Sequence, residues 1–284
     1  MIICAGESLI DMVSFVTEKG EVQYSPHVGG SILNSAIALG RLGADAYYCG
    51  AVSNDTFGGS IEDYLRDSKV QEDFIIKTNR YTTLAYADVT DDVAKYTFVD
   101  ENSAGRLIDE NSLKPFVNKI NNAKALLVGG ISLQADPCGT SWQWLVEQVT
   151  GHCVIYFDAN IRPDFIEDKD KYLERFGQLI RKVDIIKISE EDYSYLCGEQ
   201  DFEKVTAEWF DKGIKMVVLT LGEKGAKVIF DGGKEISVST EPVKVIDTIA
   251  AGDSFNAGLL FDLDKQNMLD QEKLASIDTT TLKK

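Results

Sequence analysis

Cysteine is sparse and poorly spaced for chemistry. The five thiols, Cys4, Cys49, Cys138, Cys153 and Cys197, form no C-x-x-C pair, and only His27 and His152 are there to join them. Neither a zinc site nor a disulfide framework is indicated, and buried thiols in a reducing cytosol are the expectation. Basic residues are also in short supply, with 29 Lys plus Arg against 46 Asp plus Glu and a formal net charge of -17. That balance disfavours a nucleic-acid partner and an anionic membrane surface, so any polyanionic ligand must be held by local features. No apolar run reaches the length of a membrane span, and the opening stretch, Met1 to Glu7, lacks the basic flank of a signal peptide. The five prolines form no linker, and there is no internal repeat or low-complexity segment. No G-x-x-x-x-G-K-[ST] motif is present and no G-x-G-x-x-G opens the first helix, which disfavours two common nucleotide-binding folds.

What is present is a chain of 284 residues with 44% hydrophobic content, enough for a sizeable core. Short apolar runs at 2–5, 47–52, 125–130, 154–158, 185–188 and 217–221 alternate with helical patterns, including 60–67, 140–149 and 172–182. Continuous apolar strands between helices predict a parallel sheet buried on both faces. Two hairpin patterns interrupt it, one around Glu18-Lys19-Gly20-Glu21 and one around Thr90-Asp91-Asp92. Together they predict a small β-sheet standing off the body as a lid, made of residues 12–27 and 79–105, with 1–11, 28–78 and 106–284 forming the main domain.

The most informative stretch is Asp247-Thr248-Ile249-Ala250-Ala251-Gly252-Asp253-Ser254-Phe255, which leads into an apolar helical run. Amides at the first turn of a helix have no intrahelical acceptor, and the dipole leaves partial positive charge there, so an anion such as phosphate is held at such an end. A carboxylate facing phosphate is repelled unless it takes a proton from the attacking group. Asp253 therefore reads either as a phosphotransferase base or as a plain helix cap.

Other candidates follow predicted strand ends, where ligands bind in open α/β sheets. Asp11 is suited to polyol hydroxyls or is a solvated loop acid. Gly29-Gly30 opens a helix and lets a ligand approach the backbone, and Asn34 in its first turn offers a donor and an acceptor. Asp158 is suited to ordering water or metal, and Arg162 to clamping a phosphate or a substrate oxygen. Ser189-Glu190-Glu191-Asp192 is either an acidic helix start or a magnesium–water network. The glycine turn Gly222 to Gly225 after Thr220 leaves room for a nucleotide against the backbone. The polar loop 100–106, with Glu101 and Arg106, lies at the return from the lid.

Two of these stretches together resemble the PfkB or ribokinase-like carbohydrate kinases: Gly29-Gly30-Ser31-Ile32-Leu33-Asn34 through Gly43 is similar to the N-terminal signature, and 247–255 to the C-terminal one. The resemblance covers essentially the whole chain and implies an α/β/α sandwich with a β lid and ATP-dependent phosphorylation of a sugar hydroxyl. Stretches 6–11, 100–106 and 157–163 look most like bacterial fructokinases, while 2-keto-3-deoxygluconate kinases share related stretches and a pentose kinase or a non-catalytic sugar sensor is the alternative. Carried over, Asp253 is the base and the amides of Ala250, Ala251, Gly252 and Asp253 form an anion hole. Asp11, Gly29, Gly30, Asn34, Glu101, Arg106, Asn160 and Arg162 bind sugar. Lys187, Ser189, Thr220, Gly222 and Gly225 face ATP, with Asp158, Glu190 and Asp192 near Mg²⁺ through water and a monovalent cation such as K⁺ as a further ligand. The resemblance also implies a cytoplasmic enzyme, and the lid edges suggest a homodimer. Ala250 stands where most members carry glycine, and Ser189-Glu190-Glu191-Asp192 stands for an Asn-x-x-Glu pattern. Relatives continue past Lys284 with helices that complete the adenine pocket, so the expectation is an incomplete sequence or a pocket open on one side.

Overall fold

The computed structural model describes residues 1–90, 93–240, 248–275 and 277. The turn acids Asp91 and Asp92, the signature aspartate Asp247 and the final residues 278–284 lie outside them. The six short apolar runs become strands of one sheet, β1 (Ile2–Ala5), β4 (Ala46–Ser53), β8 (Ala125–Gly129), β9 (Val154–Asp158), β10 (Ile185–Ser189) and β11 (Met216–Thr220), and three strands that no such run marked join them at the edges, β5 (Gln71–Thr78), β12 (Ala226–Phe230) and β13 (Glu235–Val238). Their spatial order is β13-β12-β11-β10-β9-β8-β1-β4-β5. All pairs from β5 to β11 are parallel, and β12 alone is reversed, pairing antiparallel with both β11 and β13.

The strands are apolar throughout because both faces are covered. Successive side chains point to opposite faces. Ile3, Leu126, Ile155, Ile186 and Val217 pack on one side with Trp142, Phe176 and Trp209. Those aromatics come from α3 (Cys138–Val149), α4 (Lys169–Leu179) and α6 (Phe202–Asp211). Ile2, Leu127, Tyr156, Ile185 and Val218 pack on the other side with Ile32, Ile61 and Leu260. These belong to α1 (Ser31–Leu42), α2 (Thr56–Asp67) and α7 (Ala251–Lys265). A further helix, α5 (Glu190–Cys197), starts directly from β10. The result is the three-layer α/β/α sandwich. Helix α2 begins four residues before the expected start because Asp55 caps it by accepting from the Gly58 amide at 2.8 Å. Gly58 is needed there, since a Cβ would fall 1.9 Å from the Ser53 carbonyl oxygen.

A second sheet has the order β3-β2-β6-β7, from β2 (Leu9–Val16), β3 (Val22–Gly29), β6 (Thr83–Thr90) and β7 (Val93–Val99). Two hairpins meet through a parallel β2–β6 pairing. This sheet begins earlier than the hairpin pattern suggested. Asp11 is therefore no loop acid beyond β1: it is a strand residue paired with His27. The run Leu9-Ile10-Asp11-Met12 hides this because the inner end of β2 is buried on both faces, which removes the apolar/polar alternation. All five cysteines are free thiols, four of them buried.

Candidate functional site

The parallel strands carry their carboxyl ends to one edge of the sandwich, and the lid sheet rises beside it. Between them lies a cavity of about 260 Å³. Its walls come from Glu7, Leu9 and Asp11 at the start of the chain, Gly30, Ser31 and Asn34 at α1, Phe98 of the lid, Ile131 after β8, Asn160 and Arg162 after β9, and Thr248 to Asp253 at α7. Leu9, Phe98 and Ile131 belong to one apolar cluster with Phe165. The cavity thus has an apolar side and a side rich in hydrogen-bonding groups, as a polyol requires.

Two helix starts face each other across this cavity and are occupied differently. At α1 the donors are satisfied by Glu7, whose Oε1 accepts from the Ser31 amide (3.1 Å), the Ser31 hydroxyl (2.7 Å) and the Ile32 amide (3.4 Å). Its other oxygen accepts from the Ser132 hydroxyl. Gly30, at φ +107, turns the chain where a Cβ would meet the Glu7 carbonyl oxygen at 3.0 Å. Gly29 has a different reason to lack a side chain: a Cβ there would sit 2.0 Å from Asp11 Oδ2. That glycine makes space for the carboxylate and is absent from the cavity wall itself.

At α7 the first turn is open. Ala250 caps it in the left-handed conformation, φ +59, a strained state for a residue with a Cβ. The expected anion hole is narrower than Ala250 to Asp253, because the Ala251 amide already donates to the Thr248 carbonyl at 3.2 Å. Among the described residues, nothing accepts from the amides of Gly252 and Asp253. Asp253 is buried, and its Oδ2 accepts from Asn34 Nδ2 at 2.9 Å. Burial pushes the Asp253 carboxyl up to about 7; the Asn34 hydrogen bond and Lys187 oppose the rise, and the charges of Asp158 and Glu7 add to it. Burial likewise lifts Asp11 to about 6 against the pull of His27 and Arg162. Both acids face the cavity with unusual proton affinity, a common property of acid–base sites.

A second cavity of about 830 Å³ adjoins the first and shares Asn160, Arg162, Ala251 and Gly252 with it. It is lined by Lys187, Ser189, Glu190, Thr220, Gly222 and Gly225, among others. Thr220 ends β11, and Gly222 and Gly225, both at positive φ, shape the turn that follows. Only the smaller chamber includes Asp253 in its lining.

Several expected ligands are already partnered within the protein. Asp158 is fully buried, with Oδ1 paired to Lys187 Nζ (2.9 Å) and Oδ2 accepting from Asn256 Nδ2 (2.7 Å). Asp192 accepts from the Ile161 amide (2.7 Å) and the Ser189 amide (2.9 Å), and Ser189 Oγ accepts from the Asp192 amide (3.0 Å). Ser189 to Asp192 is therefore a capping box, and the helix-start reading prevails over the metal network. No group of three acidic, His or Cys side chains converges as a metal site among the described residues. Glu190 and Glu191 are the acids of that run left exposed at the larger cavity. Glu101 and Arg106 miss the smaller cavity too. They line a neighbouring cleft, where Arg106 bridges Asp100 (3.0 Å) and Glu167 (2.7 Å) and ties the end of the lid to the main body.

The residues that sequence reasoning passed over are Glu7, Phe98, Ile131 and Asn256. Asn256 carried a readable signal, a polar residue inside an apolar helical run. Glu7 carried none, since the helix it caps starts 24 positions later.

The model for the pfkB family carbohydrate kinases matches residues 1–273. A fructokinase of Rhizobium leguminosarum bv. trifolii is 37% identical over 283 residues, spanning 100% of this chain and 86% of that protein. Among solved structures, a fructokinase of Vibrio cholerae O395 in its fructose, ADP and calcium ion bound form superposes with a TM-score of 0.83 at 27% identity, covering 97% of this chain and 88% of that one. A fructokinase of Xylella fastidiosa with bound ATP shares the fold at a TM-score of 0.90 and 23% identity, over 99% and 87% of the two chains.

Proposed function

This chain belongs to the pfkB family of carbohydrate kinases, and we propose that the sugar it phosphorylates is D-fructose, converted to fructose 6-phosphate with ATP as donor. It is a sugar kinase. The observation that carries the reading of its site is the meeting of two chambers at the first turn of α7, with Asp253 facing the smaller one alone. A hexose fits the smaller chamber and a nucleotide the larger.

In this mechanism Asp11, Asn34 and Asn160 hold sugar hydroxyls, and the primary hydroxyl points to Asp253. The oxygen attacks the γ-phosphorus as its proton passes to Asp253. The bond from the γ-phosphorus to the β,γ-bridging oxygen breaks, and ADP leaves with the electron pair. The amides of Gly252 and Asp253 stabilise the equatorial charge in transit. The lid, through Phe98, helps to keep out water, which would otherwise take the phosphoryl group. Ser189, Thr220, Gly222 and Gly225 line the nucleotide side. A Mg²⁺ ion entering on the phosphates would fit these residues, since such ions keep much of their shell as water and phosphate oxygen, and Glu190, Glu191 and Glu223 are exposed carboxylates in the same lining. Bound there, it would neutralise charge on the transferring group. A K⁺ requirement remains part of this proposal and is read from turnover with and without the ion.

Charge supports a neutral sugar over an acid one. The cavity is lined by Glu7, Asp11 and Asp253 against the single cation Arg162, which already interacts with Asp11. A sugar carboxylate would meet net negative charge. ATP consumption across a panel of fructose, 2-keto-3-deoxygluconate and ribose tests this. Preference for the acid sugar would refute the assignment.

Use of ATP supports a cytoplasmic location, and no described helix is long and apolar enough to cross a membrane. We also propose that the lid forms a homodimer. Phe15 (47% exposed), Val16 (70%) and Val22 (62%) stand on β2 and the edge strand β3, an apolar rim suited to a second copy. A monomer in sedimentation at micromolar concentration would contradict this.

A further inference from the structure

Beneath the first turn of α7 lies a polar network that reaches the two cavities only through Lys187, at the wall of the larger one. Asn256 is wholly buried one turn after Asp253. Its Nδ2 donates to Asp158 Oδ2 at 2.7 Å, and its Oδ1 accepts from the Tyr156 hydroxyl at 3.0 Å. The Ser35 hydroxyl of α1 has the Ser31 carbonyl (2.9 Å) and the Asp253 carbonyl (3.3 Å) as acceptors for its one proton, and it accepts from Asn256 at 3.4 Å. Asp158 pairs with Lys187 at 2.9 Å, both side chains at most 5% exposed. The ammonium lies directly under the turn, because a Cβ on Gly252 would come within 3.0 Å of Lys187 Nζ.

Buried ion pairs cost desolvation and are weak evidence of stabilisation, so a well-placed one next to a reaction centre calls for another account. We propose that Asp158, Lys187 and Asn256 are positioning residues that lock the first turn of α7 to β9 and β10 and set the charge state of Asp253. This rests on Asp253 being the base. The helix is held by Asn256, which cannot satisfy both of its ends unless α7 keeps its angle to β9. The charge is held by balance. Lys187 favours an ionised Asp253, whereas Asp158 and Glu7 oppose it, with Asn34 donating from α1 and with Asp11 and Arg162 across the same cavity. Because Lys187 and Asp158 neutralise each other, removing either leaves the other acting alone on Asp253.

The test is the acid limb of the pH profile of kcat/KM for the sugar, joined to titration of the Asp253 carboxyl carbon by NMR. Lys187→Met should move the limb up by roughly one pH unit, and Asp158→Asn should move it down by a similar amount. Lys187→Arg, which keeps the charge, should leave it in place. Opposite displacements from two halves of one ion pair are not produced by loose packing. Equal losses of turnover with the limb fixed would overturn the proposal. If either single variant fails to fold, Gly252→Ala gives the same readout, since its methyl displaces the ammonium while the pair stays charged; the Asp253 midpoint should rise, and an unchanged midpoint refutes the idea. The NMR titration still reports the effect of the pair if Asp253 proves not to be the base, which separates the two failures.

Discussion

Asn34 donates from Nδ2 to Asp253 Oδ2 across 2.9 Å, joining two helix starts that are 219 positions apart in the chain. One bond thus links the two stretches that carry the family signature. It holds the carboxylate in one rotamer and favours its ionised form. Replacing Asn34 by Leu removes both effects. The acid limb of kcat/KM should move to higher pH, and turnover at pH 7 should fall roughly 10-fold or more, read from a pH series of initial rates.

The two raised carboxyls also predict how stability depends on pH. A carboxyl whose folded value exceeds its unfolded one binds protons more tightly when folded. Its contribution is complete below about pH 4, the unfolded value, and is lost as pH rises through the folded value. For Asp11 and Asp253 those folded values are about 6 and about 7. The ligand-free protein should lose stability between pH 5 and 8. Asp253→Asn should recover roughly 2–4 kcal/mol at pH 8, with the gain shrinking as pH falls toward 5. Thermal melts of both proteins across that range check the sign.

Glycine at 29 is required by Asp11, as the 2.0 Å approach of a Cβ to its Oδ2 makes plain. Gly29→Ala should push the carboxylate off its station. The sugar KM should rise roughly 10-fold or more, the worth of one charge-assisted hydrogen bond, while the KM for ATP stays within about 2-fold. Steady-state kinetics with each substrate varied in turn distinguish this from general damage.

Ala250 adopts φ +59 at the cap of α7. Ala250→Gly should stabilise the fold by roughly 0.5–1 kcal/mol, because relief of the Cβ clash exceeds the added freedom of the unfolded chain. Denaturant midpoints measure it. Activity should persist, since the backbone amides it precedes are unchanged.

Local signals and long-range ones were not equally legible in the sequence. Period and punctuation identify β1, β4 and β8 to β11 but not β5, β12 or β13, and small residues before an apolar helix point to an open first turn at Ala251. Acids after strands suit ligands, so Asp158 and Asp192 point toward metal in the sequence. Asp192 closes a capping box with Ser189, the local alternative the sequence offered, whereas Lys187, Asn256 and the Ile161 amide are 29 or more positions away from the carboxylates they satisfy, and no local pattern encodes those pairings. Arg106 is placed on the sugar by the family resemblance alone, whereas Asp100 and Glu167 claim its guanidinium. The position of Asp11 on β2 was hidden because double-sided burial removes the alternation by which a strand is recognised.

The most direct measurement is the turnover of Asp253→Asn with fructose and ATP, alongside fructose binding by calorimetry. Loss of the proton acceptor should lower kcat by at least roughly 10²-fold while fructose still binds within a few-fold of the native affinity. Turnover equal to that of the native enzyme would remove Asp253 from the mechanism.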